Sequence, residues 1–115
     1  MGKTLAGLSD RIARREVGIL ANNTRAMFFG GDRGSPLVYS VSLHGHRIAD
    51  IGGDGVSLFS AGWRTSTTKD RLNRILDAVG APCGVYQRNH EWFLWNRVTD
   101  SDQPFVEGMS VPCGV

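Results

Sequence analysis

The sequence predicts an α+β fold: a mostly antiparallel β-sheet built as a meander of hairpins, with one helix at about 67–79 packed on it and a second, N-terminal helix. Three observations carry this. Between residues 24 and 60, apolar residues alternate with the two-residue period of a strand and are interrupted by glycine-rich turns. Between 67 and 80 the period becomes helical and is ended by Gly80 and Pro82. Beyond 83, two aromatic segments flank Asn89-His90, a two-residue turn. The length of 115 residues suits one core. The expectation is a single domain over 1–115, with a helical segment at 1–21 and a sheet-plus-helix body at 22–115.

In chain order, Leu5, Leu8, Ile12 and Ile19 are spaced for a helix starting at Ser9-Asp10 and ending between Gly18 and "ANNT". "TRAMFF", "LVYSVSL", "HRIADI" and "VSLFS" read as four consecutive strands. Their connections are "GGDRGSP", His44-Gly45 and "GGDG", where glycine supplies positive φ. Thr67 followed by Asp70 resembles a capping box, and Leu72, Ile75, Leu76 and Val79 form the apolar stripe of the helix that follows. "GVYQR" and "EWFLWN" form a hairpin, and "QPFVEGMSV" adds a short edge strand or a further hairpin.

Composition narrows the function classes. No apolar run approaches the roughly 20 residues of a membrane span, and the first residues lack the layout of a secretory signal. Both absences favour the cytoplasm. The net charge is only +2, yet residues 1–75 carry +5 and residues 76–115 carry −3. Eleven of the 13 cations are arginine, the side chain suited to bidentate phosphate or carboxylate contacts. Cys83 and Cys113 have no pairing motif, so a disulfide and two free thiols both stay open. "HGH" at His44 and His46 has only His90 as a third imidazole, which makes a metal site unexpected. "GGDRG" and "GGDG" do not lead into helices and are turns, not phosphate cradles. No cofactor is expected, and no nucleophile elbow, zinc-protease or dinucleotide pattern points to an enzyme.

Two places could carry binding. In "SAGWRTSTTKDRLNR" the hydroxyls of Thr65, Ser66, Thr67 and Thr68 lead into a helix N-terminus beside Trp63, Arg64, Lys69, Arg71 and Arg74. These are the parts of a phosphate or single-strand contact site. They also suit an ordinary cap with Trp63 in the core. In "YQRNHEWFLWNR" strand alternation puts Trp92 and Leu94 on one face and Phe93 and Trp95 on the other. One aromatic pair is then a candidate for exposure beside Arg88 and Arg97, as at protein interfaces and base-stacking platforms. Burial of both pairs is the alternative.

Several segments occur together in order: "ANNT", "YSVSLHGHRIADI", "DGVSLFSAGWRTSTTKDRLN", "VYQRNHEWFLWN" and "FVEGM". Across residues 22–109 this resembles short proteins of tailed phages and prophages that carry LHxxxIA, GWxTxTTxxRLN, YQRxxxWxLW and a late F-x-x-GM. The resemblance implies a mobile-element origin and transfers no catalytic residue. The functional expectation is a non-enzymatic accessory binder in the cytoplasm of an infected bacterium. Its partner would be a host protein or protein–nucleic-acid complex, and its effect an anti-CRISPR-like inhibition of host defence or nucleic-acid machinery. The alternative is direct DNA or RNA binding through Trp63 to Arg71.

Overall fold

The computed structural model describes residues 7–21, 23–31, 34, 36–53, 55–62 and 64–112. Trp63, Leu5 and Cys113, with what the sequence suggests for them, lie outside the described residues. Among the described residues the chain forms α1 (Leu8–Ala13), β1 (Gly18–Ala21), β2 (Thr24–Phe29), β3 (Val38–Leu43), β4 (His46–Ile51) and β5 (Val56–Leu58). Then follow α2 (Ser66–Ala78), β6 (Cys83–Arg88), β7 (Glu91–Asn96), β8 (Ser101–Pro104) and β9 (Met109–Val111). The fold is α+β, as the periodicities predict. Its strands divide into a six-stranded sheet, β1-β2-β3-β4-β5-β9, and a three-stranded sheet, β6-β7-β8, with every neighbouring pair antiparallel.

The predicted four-strand meander is β2 to β5. Its tightest connection is His44-Gly45, with φ of 53° and 80°, and Asn89-His90 joins β6 to β7 with φ of 52° and 67°. Two successive positive φ angles match the right-handed twist of a hairpin. A bulge in β4 follows from the register, because Val41 pairs with Ala49 while Ser42 pairs with Arg47. Ile48 is the extra residue, so Ile48 and Ala49 both face the core although they are adjacent.

Two expectations need correcting. The N-terminal helix stops at Ala13 instead of running to 18–21, and residues 18–21 form an edge strand. Arg15 has φ of 57° and Gly18 has φ of 103°, angles a right-handed helix does not contain. Pairing on β2 then satisfies the backbone of the apolar run that spacing alone assigns to a helix. Leu8 and Ile12 are buried as expected, but Ile19 is 51% exposed on a strand. The second correction concerns 103–111, which form neither one edge strand nor a hairpin. β8 pairs with β7 and β9 pairs with β5, so this segment crosses from the small sheet to the large one.

One core joins the layers. Leu8 and Ile12 of α1 and Leu72, Ile75 and Leu76 of α2 pack with Leu20, Val41, Ile48 and Leu58 of the large sheet and with Val85, Trp92 and Leu94 of the small one. Helix α2 runs beside α1 and touches β4 and β6. Asn73 of α2 joins helix to sheet: its Nδ2 donates to the Val85 carbonyl at 2.9 Å and its Oδ1 accepts from the Val85 amide at 2.7 Å. Those two groups lie on the side of β6 away from β7, so one side chain covers a sheet edge that would otherwise be open.

Candidate functional site

The helix start is built from its cap. Thr65, not Thr67, is the N-cap: its backbone is extended and its Oγ1 accepts from the Thr68 amide at 3.2 Å. The capping box expected from Thr67 and Asp70 is therefore not formed, because the helix begins two residues earlier than such a box requires. The Thr68 hydroxyl is buried against Thr65 Oγ1 at 3.1 Å. Asp70 turns instead to the cations of its own helix, accepting on Oδ2 from Arg71 Nη1 at 2.8 Å and Arg74 Nε at 2.9 Å. Ser66 and Thr67 are exposed.

The cations expected to gather around an anion do not converge. Arg71 is only 7% exposed, and its Nε donates to the buried Thr24 hydroxyl at 2.8 Å. A guanidinium placed so deep is tolerated because Thr24 and Asp70 replace the water it gives up. Lys69 Nζ donates to Gln87 at 3.2 Å. Arg64 spans the rings of Trp92 and Phe105, at 5.7 and 5.3 Å, and lies 3.5 Å from the Glu107 carboxylate. Glu107 also accepts from the Ser60 amide at 2.8 Å and from the Ser60 hydroxyl at 2.5 Å. Burial would raise the Glu107 carboxyl, but these Ser60 bonds and the Arg64 charge outweigh it and hold the group below its ordinary value. Arg64, Lys69 and Arg71 thus tie the helix start to its surroundings, while Arg74 pairs with Asp70 along the helix.

A recess of about 560 Å³ opens beside this start, between His44 and His46 of the β3–β4 hairpin and Ser60, Thr65 and Thr67, over an aliphatic floor of Leu43 and Ile48. Among the described residues no three His, Cys, Asp or Glu side chains converge as a metal-binding set.

The three-stranded sheet is arranged the other way. Trp92 and Leu94 are buried at 2% and 3%, whereas Trp95 is 41% exposed. Trp92, a sequence candidate for partner contact, is corrected to a core residue: its ring meets Phe105 edge-on at 5.4 Å. The register places Gly84, Tyr86 and Arg88 opposite Trp95, Phe93 and Glu91, and Asp102 and Pro104 opposite Trp95 and Phe93. All of these share the face turned away from the core. Tyr86 and Phe93 stack at 5.6 Å, and the Arg88 guanidinium sits 5.0 Å over Phe93. Tyr86 donates its hydroxyl proton to Asp102, a bond that raises the phenol above its ordinary pKa. Arg97 is exposed beyond the end of β7, where its amide donates to Pro82 at 2.9 Å. Burial raises the Cys83 thiol, and the Arg97 charge partly offsets this.

Of the sequence candidates, the structure brings Arg88 and Trp95 onto one surface and leaves Arg97 at its margin. Tyr86, Phe93, Gly84 and Asp102 complete that surface. Alternation signals Phe93, but Asp102 is placed there only by the pairing of β8, which no local pattern announces. Ser60 and Glu107 were equally illegible, being 47 residues apart.

Fold and surface together define a small α+β protein whose large sheet and helices form a scaffold for a hairpin-based ring-and-charge face. Residues 6–112 match the family model described as Kyanoviridae Gp96 protein, and the chain belongs to that family of phage proteins. No curated protein and no solved structure matches it.

Proposed function

We propose that this phage protein is a non-enzymatic accessory binder that docks on a host protein, or on a host protein–nucleic-acid complex, in the cytoplasm of the infected bacterium. The docking surface is the outer face of β6–β7–β8, and the consequence is inhibition of host defence or nucleic-acid machinery in the anti-CRISPR manner. The observation that carries the reading is Trp95, a large ring 41% exposed on a paired strand beside Tyr86, Phe93 and Arg88. Tryptophan, tyrosine and arginine supply most of the energy at protein interfaces. A face held by strand pairing loses little entropy when it docks. Engagement of Arg64, Lys69 and Arg71 by Glu107, Gln87 and Asp70 weighs against direct nucleic-acid binding at the helix start.

The test is affinity capture from host lysate with the wild-type chain and with Trp95→Ala. Recovery of a discrete host protein by the wild type and its loss with Trp95→Ala is the expected result. Equal capture by both would remove the face from the reading. A labelled oligonucleotide titrated at two salt concentrations separates the alternative, since phosphate contacts weaken as salt rises.

A further inference from the structure

We propose that the partner surface is basic, and that one of its arginine or lysine side chains seats on the Trp95 indole, over Gly84 and against the Asp102 carboxylate. This rests on the docking reading above and names the partner's chemistry.

The argument starts from one row across the small sheet. Gly84 pairs with Trp95, and Trp95 pairs with Asp102, so an indole lies between a residue with no side chain and a carboxylate. On the glycine side there is a notch: among the described residues a Cβ built at Gly84 would meet only Asn73 Oδ1, at 3.6 Å. On the other side Asp102 is held in place by the Tyr86 hydroxyl. A ring face beside an anchored carboxylate attracts a cation twice, through the ring quadrupole and through the charge, and indole is the strongest ring acceptor.

The molecule already displays one ring of this face covered by a cation. Phe93 lies two positions from Trp95 on β7, and Arg88, at the hairpin end of β6, sits over its ring. There the chain supplies its own guanidinium to a ring. At Trp95 no cation of the described residues lies over the ring, and the place for one is open. The charge of the face agrees, because among its described residues Glu91 and Asp102 stand against Arg88. A nucleic-acid phosphate would meet Asp102 as a like charge, which is why the occupant is a basic protein side chain.

The experiment uses the full chain with ¹⁵N-labelled tryptophan. It is titrated with an acetylated Gly-Arg-Gly-Arg-Gly amide and, separately, with the same peptide carrying glutamate for arginine. The Trp95 indole resonance should move saturably with the arginine peptide and stay still with the glutamate peptide, while the sealed Trp92 indole reports that the fold is intact. Asp102→Asn and Gly84→Leu, which closes the notch, should each weaken binding by about five-fold or more. Gly84→Ala, whose Cβ makes an ordinary contact, covers the case in which the leucine variant fails to fold.

An unmoved Trp95, equal shifts with both peptides, or a shift produced by a single-stranded oligonucleotide in place of the arginine peptide overturns the proposal. If the arginine peptide fails while Trp95→Ala still releases the captured host protein, the basic-partner inference falls and the docking face stands. Retention of that protein by Trp95→Ala overturns both.

Discussion

At the start of α2, Arg64, Thr65, Lys69 and Arg71 turn their polar atoms toward other parts of the chain, whereas across β6–β8 Tyr86, Arg88, Phe93 and Trp95 turn away from it. Both regions are dense in the residue types that recognise ligands. The difference lies in what surrounds them. The helix start is approached by β2, by the β6 edge and by the Phe105–Gly108 crossing, each bringing an acceptor or a ring. Among the described residues no further element packs over the outer face of the small sheet, so the partners seen for its side chains come from that face itself. Density of functional side chains is therefore a poor guide to which of them stay accessible; the number of elements packed around them decides.

This contrast can be broken by substitution, the largest effect coming first. Arg71→Ala leaves the buried Thr24 hydroxyl without its guanidinium and should cost roughly 2–3 kcal/mol. In a chain of this size that lowers Tm by about 10 °C, read by circular dichroism. Asn73→Ala uncovers the Val85 edge of β6 and should cost about 1–2 kcal/mol in urea unfolding. The Val85 amide should then exchange faster with deuterium. Thr65→Ala removes the cap at about 1 kcal/mol, while Thr67→Ala should stay within about 0.5 kcal/mol. A larger loss at 67 than at 65 would return the cap to the position that spacing alone suggests.

A pH titration sharpens the same comparison. The folded state holds Glu107 below the ordinary value of 4.5, so its contribution is present above that value and is lost as pH falls through the folded one. Glu107→Gln should flatten part of the acid unfolding limb below pH 4.5. The smallest effect on stability belongs to Trp95→Ala, which should change the unfolding free energy by less than about 0.5 kcal/mol yet abolish partner capture. A large loss of stability there would mean that the ring face is scaffold as well.

The sequence carried the meander, both tight turns and the main helix, because each depends on residues near one another in the chain. Alternation from Leu37 to Leu43, paired positive φ at Asn89 and His90, and the stripe from Leu72 to Val79 are local signals. The split into two sheets was not legible, since β8 and β9 are chosen by distant partners and their few residues have no period of their own. The same reason hid β1, whose apolar residues suit either a helix face or an edge strand until β2 is present. At the site, alternation already separated Trp92 from Trp95. That Arg64 and Arg71 are engaged by their own chain could not be read, because Glu107 and Thr24 lie more than 40 residues away.

The pairing of β9 with β5 sets a schedule for synthesis. Val56 waits for Val111, and Leu58 for Met109, before the six-stranded sheet gains its last strand. At ordinary ribosomal speed that interval is on the order of several seconds. Throughout it the nascent chain exposes the β5 margin, an unpaired strand template to which neighbouring chains can add. A chain truncated before residue 109 is expected to show such mispairing as insoluble product, read by sedimentation.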